Sequence, residues 1–381
     1  MVSALEELSQ QFCDWMQHHA LPLWAGQGIE SESGCSYEAM LAHGVADLYA
    51  ERRTRVQARQ MFVFASAYQQ GWLDEGKALS FAIQDYLDRF ASHPTYSGAY
   101  TFKLDRFHQV VDGKLDTYDC AFFLLAWAYH YELGDPKAQE RACQLMQLLN
   151  HHFKGAGGGW LEGSEPVEYR RQNPHMHLFE AFLAWFKVTG DRQWLDYAHE
   201  VFDLFARFFY DARHGVLYEH FGVDLERLTN LDGQTVEPGH LAEWIWLLNE
   251  YQVASGKDMS TYCQALYKSL QLKGSEPETG LLYDEIDAAG KVRKASKRLW
   301  TQTELIKAHI AMAERGDPDA EKQAGEAIAG LFDHFLNNDT LGFATERLDA
   351  SNQSVNQAAP ATSMYHLMMA CLEAHRYQNS Q

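Results

Sequence analysis

Three histidines carry most of the chemistry this chain can do: His177, His240 and His366 each fall about one turn inside a helix-forming segment. A free imidazole titrates near ~6.5, so at neutral pH it can accept a proton and return it. Polar residues that no packing pattern requires sit at matching places in other segments: Arg59, Tyr118 with Asp119, Asn173, Glu243, Trp300 and Glu304. His240 and Glu243 are i,i+3 neighbours on one helical face. They make either a modest surface pair or a carboxylate that orients an imidazole and supports its charged form. Arg59 offers a planar fork of donors for ligand oxygens or for a structural carboxylate. Glu304 can close a Thr301-x-x-Glu304 capping box or face the same site as the histidines. Tyr118 and Asp119 open a helix, where an aspartate also serves as an ordinary cap. Trp300 is a core side chain or a flat face for a ligand. His175-Met176-His177 looks like a metal pair, but residues i and i+2 of a helix point to different sides, so the two rings do not share an ion without distortion.

Helices must position these residues. Apolar periodicity predicts twelve of them, near 3–19, 54–71, 74–92, 117–134, 136–152, 174–190, 191–210, 239–256, 258–271, 300–315, 319–337 and 363–377. Thr54–Gln57 reads as a capping box, and Asn173-Pro174 as an N-cap followed by proline at the first helical position. Short breaks such as Gly134-Asp135-Pro136 and Gly190-Asp191 suit antiparallel neighbours. Longer connections alternate with them, and five open on glycine and a brief β-like run: GAYTFKLD, GGWLEG, GVLYEH, GLLYDE and GFATER. The helix after each run recurs about every 60 residues. A fixed period of helix pairs means stacked units that cannot bury their apolar faces alone. The second, fourth and later even-numbered helices, such as CAFFLLAWAYHY, are apolar nearly all round, while the others are amphipathic. This sorting predicts an inner and an outer layer: an all-α (α/α)6 barrel, one domain over residues 1–381, with short β-hairpins in the loops at one mouth. The first turns of the inner helices then share that mouth and bring the polar residues above together.

The bulk properties narrow the function. With 52 acidic and 32 basic residues the formal charge is −20, which lacks the concentrated basic footprint that nucleic acid or an anionic membrane needs. The six cysteines are scattered singly, as buried hydrophobes of a reducing compartment. The segment MVSALEELSQQFCDWM has early acids and no unbroken apolar run, and no stretch approaches the ~20 residues of a membrane span. A cytoplasmic location is expected. Nothing in the sequence sets the oligomeric state.

Arg59-Gln60, Asn173-Pro174-His175-Met176-His177-Leu178, Glu237-Pro238-Gly239-His240 with Glu243-Trp244, Lys297-x-x-Trp300-x-Gln302-x-Glu304 and Tyr365-His366 together resemble the N-acylglucosamine 2-epimerase superfamily, in order and at the repeat spacing. The resemblance covers nearly the whole chain. It implies an (α/α)6 barrel acting on a sugar, with His240 and His366 as the acid/base pair and no metal or other cofactor. It also implies that His177 and Arg59 contact sugar oxygens and that Asn173, Glu243 and Trp300 shape the pocket. Cellobiose-type epimerases carry a tryptophan five residues before the last catalytic histidine; here that position is Ala361. That departure is similar to the monosaccharide aldose–ketose isomerases. The expected reaction is therefore D-mannose to D-fructose through a cis-enediol, with D-lyxose or D-talose as further substrates. Alternatives are C2 epimerisation, an inverting glycosidase built on two carboxylates, and a non-catalytic helical toroid.

Overall fold

The computed structural model describes residues 4–230, 232–355 and 358–380; Ser3, where the first expected helix begins, lies outside them. Six helices form the inner layer: α3 (Thr54–Gln69), α5 (Thr117–Glu132), α7 (Gln172–Thr189), α9 (Pro238–Ser255), α11 (Leu299–Glu314) and α13 (Ser363–Ser380). Each packs on the next, and α13 packs on α3, so the layer is a closed ring. Outside it run α4 (Gly76–Phe90), α6 (Ala138–His152), α8 (Arg192–Leu204), α10 (Ser260–Ser269) and α12 (Ala320–Leu331). Each outer helix lies against the inner helix before it. The remaining inner helix, α13, takes its outer partner from the far side of the sequence: α1 (Ala4–Trp15) packs on both α12 and α13.

The pattern of apolar residues explains the layering. In α9 every residue from Pro238 to Asn249 is buried, whereas α8 buries only Trp194, Ala198, Val201 and Leu204, one per turn. The first helix does not stop near residue 19 as expected. Its ladder widens into a π turn over Met16–Ala20, where the Leu21 N–H donates to the Met16 carbonyl, and it continues as α2 (Leu21–Gln27). Pro22 lacks the N–H that an unbroken α ladder needs, and the widened turn next to it lets the chain stay helical.

Short antiparallel pairs strap each inner-helix entrance to the next. Arg52–Arg53 pairs with Lys103–Leu104, Tyr169–Arg171 with His220–Gly222, Lys297–Arg298 with Arg347–Leu348, and Ala39–Leu41 with Ala358–Pro360. Single bridges, Asp116 to Gly163 and Val236 to Ile286, complete the other two junctions. All six junctions at this mouth are therefore hydrogen-bonded, which fixes the N-terminal turns that carry the polar residues.

Candidate active site

Alternate inner helices enter the mouth in the same way. Arg52-Arg53, Arg170-Arg171 and Lys297-Arg298 precede α3, α7 and α11, and the second cation of each pair is the residue before the helix. Four residues on, the side chain turns outward and holds the incoming backbone. The Gln57 amide bonds both N–H and carbonyl of Ser36 at 2.8 Å, and the Gln302 amide does so for Leu282 at 2.9 and 3.1 Å. Trp160 donates its N–H to His175 Nε2 at 3.0 Å, while His175 Nδ1 lies 3.0 Å from the Arg171 carbonyl. Six residues on, the side chain turns inward: these are Arg59, His177 and Glu304. The pattern separates His175 from His177 physically, since the first is spent on backbone and the second faces the interior.

Two local expectations are corrected. Thr54 does not close a capping box with Gln57; its hydroxyl donates to the Thr101 carbonyl at 2.6 Å. Asn173 is not an N-cap, because α7 begins at Gln172 with Arg171 before it, and Asn173 and Pro174 lie within the first turn, where proline costs no ladder bond.

The mouth holds two imidazole–carboxylate pairs. His240 Nδ1 lies 2.9 Å from Glu219 Oε2, and Glu219 is itself held by the Gln172 side-chain N–H at 2.9 Å and the Glu237 backbone N–H at 3.3 Å. Glu243, expected to orient His240, does not. Glu219 arrives from the strap before α9 and takes that place, while Glu243, one turn deeper, lies 3.7 Å from His177 Nδ1. Burial opposes charge on His240, but Glu219 and Glu237 outweigh it and lift the pKa to about 9. His366 Nδ1 lies 2.9 Å from Glu304 Oε1, and Glu304 Oε2 lies 2.6 Å from Lys307 Nζ. Glu304 is thus neither a capping-box residue nor placed as a direct sugar contact: it is fully buried between His366 and Lys307, and Thr301 donates to the Arg298 carbonyl instead. Burial, with Arg59, His177 and Lys307 adding, holds His366 well below the ordinary histidine value. Trp300 packs against both imidazoles, with ring centroids 5.0 Å from His240 and 5.6 Å from His366, so the two histidines lie against one indole ring.

A second cluster is built on Arg59. Its guanidinium lies over Phe122 at 4.0 Å and Tyr365 at 4.9 Å, and it donates to Tyr118 Oη at 2.8 Å and to the Thr362 hydroxyl. His177 Nδ1 lies 3.2 Å from Glu180 Oε2, which also accepts from the Tyr365 hydroxyl. Burial lowers the His177 pKa to about 4 even though Glu180 works the other way. Glu243 is held well above the usual carboxylate range by burial and by Glu304 and Glu180, against Lys307 and His240. Asp119 pairs with Arg55 at 3.1 Å, and burial pushes its pKa up to about 7. Asn173 Oδ1, Glu180 Oε1, Asp119 Oδ2 and both Glu243 oxygens are buried without a protein hydrogen bond. Buried polar atoms without a protein partner call for a hydrogen-bonding ligand or water.

Among the described residues, three groups bring potential metal ligands within 4.8 Å of one another: His177, Glu180 and Glu243; Glu219, Glu237 and His240; and Glu30, Cys35 and His108. In each, a protein cation already answers the carboxylates. Arg298 pairs with Glu237 and Arg52 with Glu30, both at 2.7 Å, and the Lys307 ammonium faces Glu243 and Glu180. The carboxylate charge in each group is thus already met, at least in part, by a protein cation. Glu219, Glu180 and Lys307 were not singled out from the sequence. Glu180 and Lys307 stand i+3 from His177 and Glu304, a readable spacing; Glu219 sits in a β-like run with no periodic signal.

The N-acylglucosamine 2-epimerase (GlcNAc 2-epimerase) family model matches residues 36–370. A curated relative named mannose-6-phosphate isomerase, from Rhizobium meliloti (strain 1021), is 32% identical over 374 residues, 95% of each chain. A D-mannose isomerase from Thermobifida fusca is 29% identical over 249 residues, 58% of this chain and 59% of that one. Among solved structures, the cellobiose 2-epimerase of Bacillus thermoamylovorans B4167 superposes with a TM-score of 0.87 at 20% identity, covering 97% of this chain and 99% of that one.

Proposed function

The chain belongs to the N-acylglucosamine 2-epimerase family, and from that premise we propose that it interconverts D-mannose and D-fructose. The observation that carries this reading is the unlike pair of imidazoles against one indole ring: His240, with its pKa lifted to about 9, and His366, held well below the ordinary value. At neutral pH the first is an acid and the second a base, which is the division of labour that aldose–ketose isomerisation needs. With Nδ1 of each ring turned to its carboxylate, Nε2 is left for the substrate.

His240 protonates the ring oxygen as the C1–O bond breaks and takes up the proton released by the anomeric hydroxyl, which opens the sugar to the aldehyde. His366 takes the C2 proton as the C1 carbonyl oxygen receives one, giving a cis-enediol. The O2 proton then leaves to form the C2 ketone, and His366 returns its proton to C1. His240 moves protons among the oxygens. Arg59 and His177 hold the oxygens on which negative charge develops, the kind of preorganised electrostatics that carries much of catalysis. Glu243, kept protonated, is a further donor, and Trp300 stacks on the sugar face.

The substrate is the free sugar in this reading. Arg53, Arg55, Arg171 and Arg298, at the entrances of α3, α7 and α11, are each paired with a carboxylate, Glu38, Asp119, Glu162 and Glu237 respectively, so none of these four holds its fork free for a phosphate. Incubation with D-mannose and with D-mannose 6-phosphate, resolving the fructose and glucose products, tests both points. Free fructose from mannose supports the reading; glucose alone makes the protein a 2-epimerase, and turnover of the phosphate only would overturn the substrate assignment.

A further inference from the structure

The two histidines have the same local partner, a carboxylate 2.9 Å from Nδ1, yet the carboxylates differ in what stands behind them. Glu219 is held by the Gln172 amide and a backbone N–H, both neutral. Glu304 is held by Lys307, whose ammonium is fully buried, 2.6 Å from Glu304 Oε2 and over the Trp246 ring at 3.8 Å. Lys307 reaches neither the rim nor the cavity wall, and the scheme above gives it no task. A fully buried lysine is expensive unless it balances charge.

We propose that Lys307 is a positioning residue that makes the two imidazoles unlike: by pairing with Glu304 it cancels the negative charge behind His366, whereas the charge of Glu219 behind His240 is left standing. Glu304 then fixes the His366 tautomer, with Nδ1–H donated and Nε2 open, without drawing an extra proton onto the ring. The other groups facing His366 do not replace it. They are Arg59 on α3, His177 and Glu180 on α7, and Tyr365 on α13, of mixed sign and bonded to one another or to Tyr118 and Thr362; His240 on α9, across the Trp300 ring, has Glu219, and Glu243, one turn deeper, is raised toward its neutral form. Removing Lys307 has one consequence by either route. If Glu304 stays ionised it supports an imidazolium; if Glu304 protonates, its proton occupies Nδ1 and Nε2 must carry the hydrogen. In both cases the base is lost until a higher pH removes the extra proton.

The inference rests on the isomerase reading for its meaning, so the test has one arm that needs no substrate. The His366 imidazole is titrated by nitrogen-15 NMR, assigned with His366→Asn, and the acid limb of kcat/KM on D-mannose is followed in parallel. Lys307→Met should raise the His366 midpoint and the acid limb together, by about one pH unit or more. Lys307→Arg should restore both, and Glu304→Gln/Lys307→Met, which removes the two charges at once, should return the midpoint toward wild type. A Lys307→Met midpoint unchanged within about 0.2 units, or one displaced equally in all three variants, overturns the proposal. If Lys307→Met does not fold, the comparison of the double variant with Glu304→Gln decides. Glu304→Gln leaves the ammonium uncompensated and should lower the midpoint; an unchanged or raised midpoint overturns the proposal. Inactivity on mannose with the expected NMR shifts would sink the isomerase reading and leave the role of Lys307 intact.

Discussion

His366 separates proton transfer from sugar binding. His366→Asn keeps a polar side chain but removes the basic nitrogen, so turnover should fall by roughly 10²–10⁴-fold, mainly in kcat. Transfer of the mannose C2 hydrogen to C1 should vanish in parallel. A folded variant within a few-fold of wild type would make His366 a binding residue. The pH profile follows from the same pair. His366 stays unprotonated well below the ordinary histidine value, so activity should persist into mild acid; it should fall through about pH 9 as His240 loses its proton. Glu219→Gln removes the largest support for the His240 charge, and the alkaline limb should move down. A limb that stays near 9 in that variant would show that another group sets it. Much of this site was legible at the residue scale, because His177, His240 and His366 fall at equivalent turns of the repeat. The partners were less so. Glu243 was expected at His240 because i,i+3 spacing is visible in a sequence, whereas Glu219 reaches the ring from a loop whose path only the fold defines.

Among the elements, the helices and their order were readable because inner and outer faces differ so plainly in periodicity. The π turn that carries α1 past Pro22 was not, since a proline after a polar stretch ordinarily ends a helix. Nor was the outward clamp, for Gln57 reads as a capping-box residue, His175 as half of an apparent metal pair and Gln302 only as part of a family motif until their backbone partners are placed. The clamp has a measurable weight. Gln302→Leu leaves the buried N–H and carbonyl of Leu282 without partners, which should cost about 2–4 kcal/mol in urea unfolding at roughly one desolvation penalty per group. A loss under about 0.5 kcal/mol would mean that water replaces the amide.

At the scale of the whole molecule, closure depends on a unit made from two distant helices. Phe12 of α1 is fully buried, with its ring 6.3 Å from that of Phe332 just beyond α12. Phe12→Ala should destabilise the protein by about 3–5 kcal/mol. Because α13 carries His366, activity should be lost at lower denaturant than in wild type. Stability within about 1 kcal/mol of wild type would show that α1 is an accessory.

That shared unit also sets a timetable for biosynthesis. Cys13 on α1 and Cys371 on α13 end with their sulfurs 3.7 Å apart, yet they are 358 positions apart along the chain. At about 5–20 residues per second, a ribosome delivers the second roughly 20–70 s after the first. Through that interval α1 has no α13 to cover it, and the flanks of α3 and α11 that will receive α13 stand open to water. The nascent protein is an incomplete arc with a greasy gap, the form most in need of a chaperone. On the mechanism proposed above it is also inert, because the helix that fills the gap brings His366, and the chain would gain activity only as it closes into a ring.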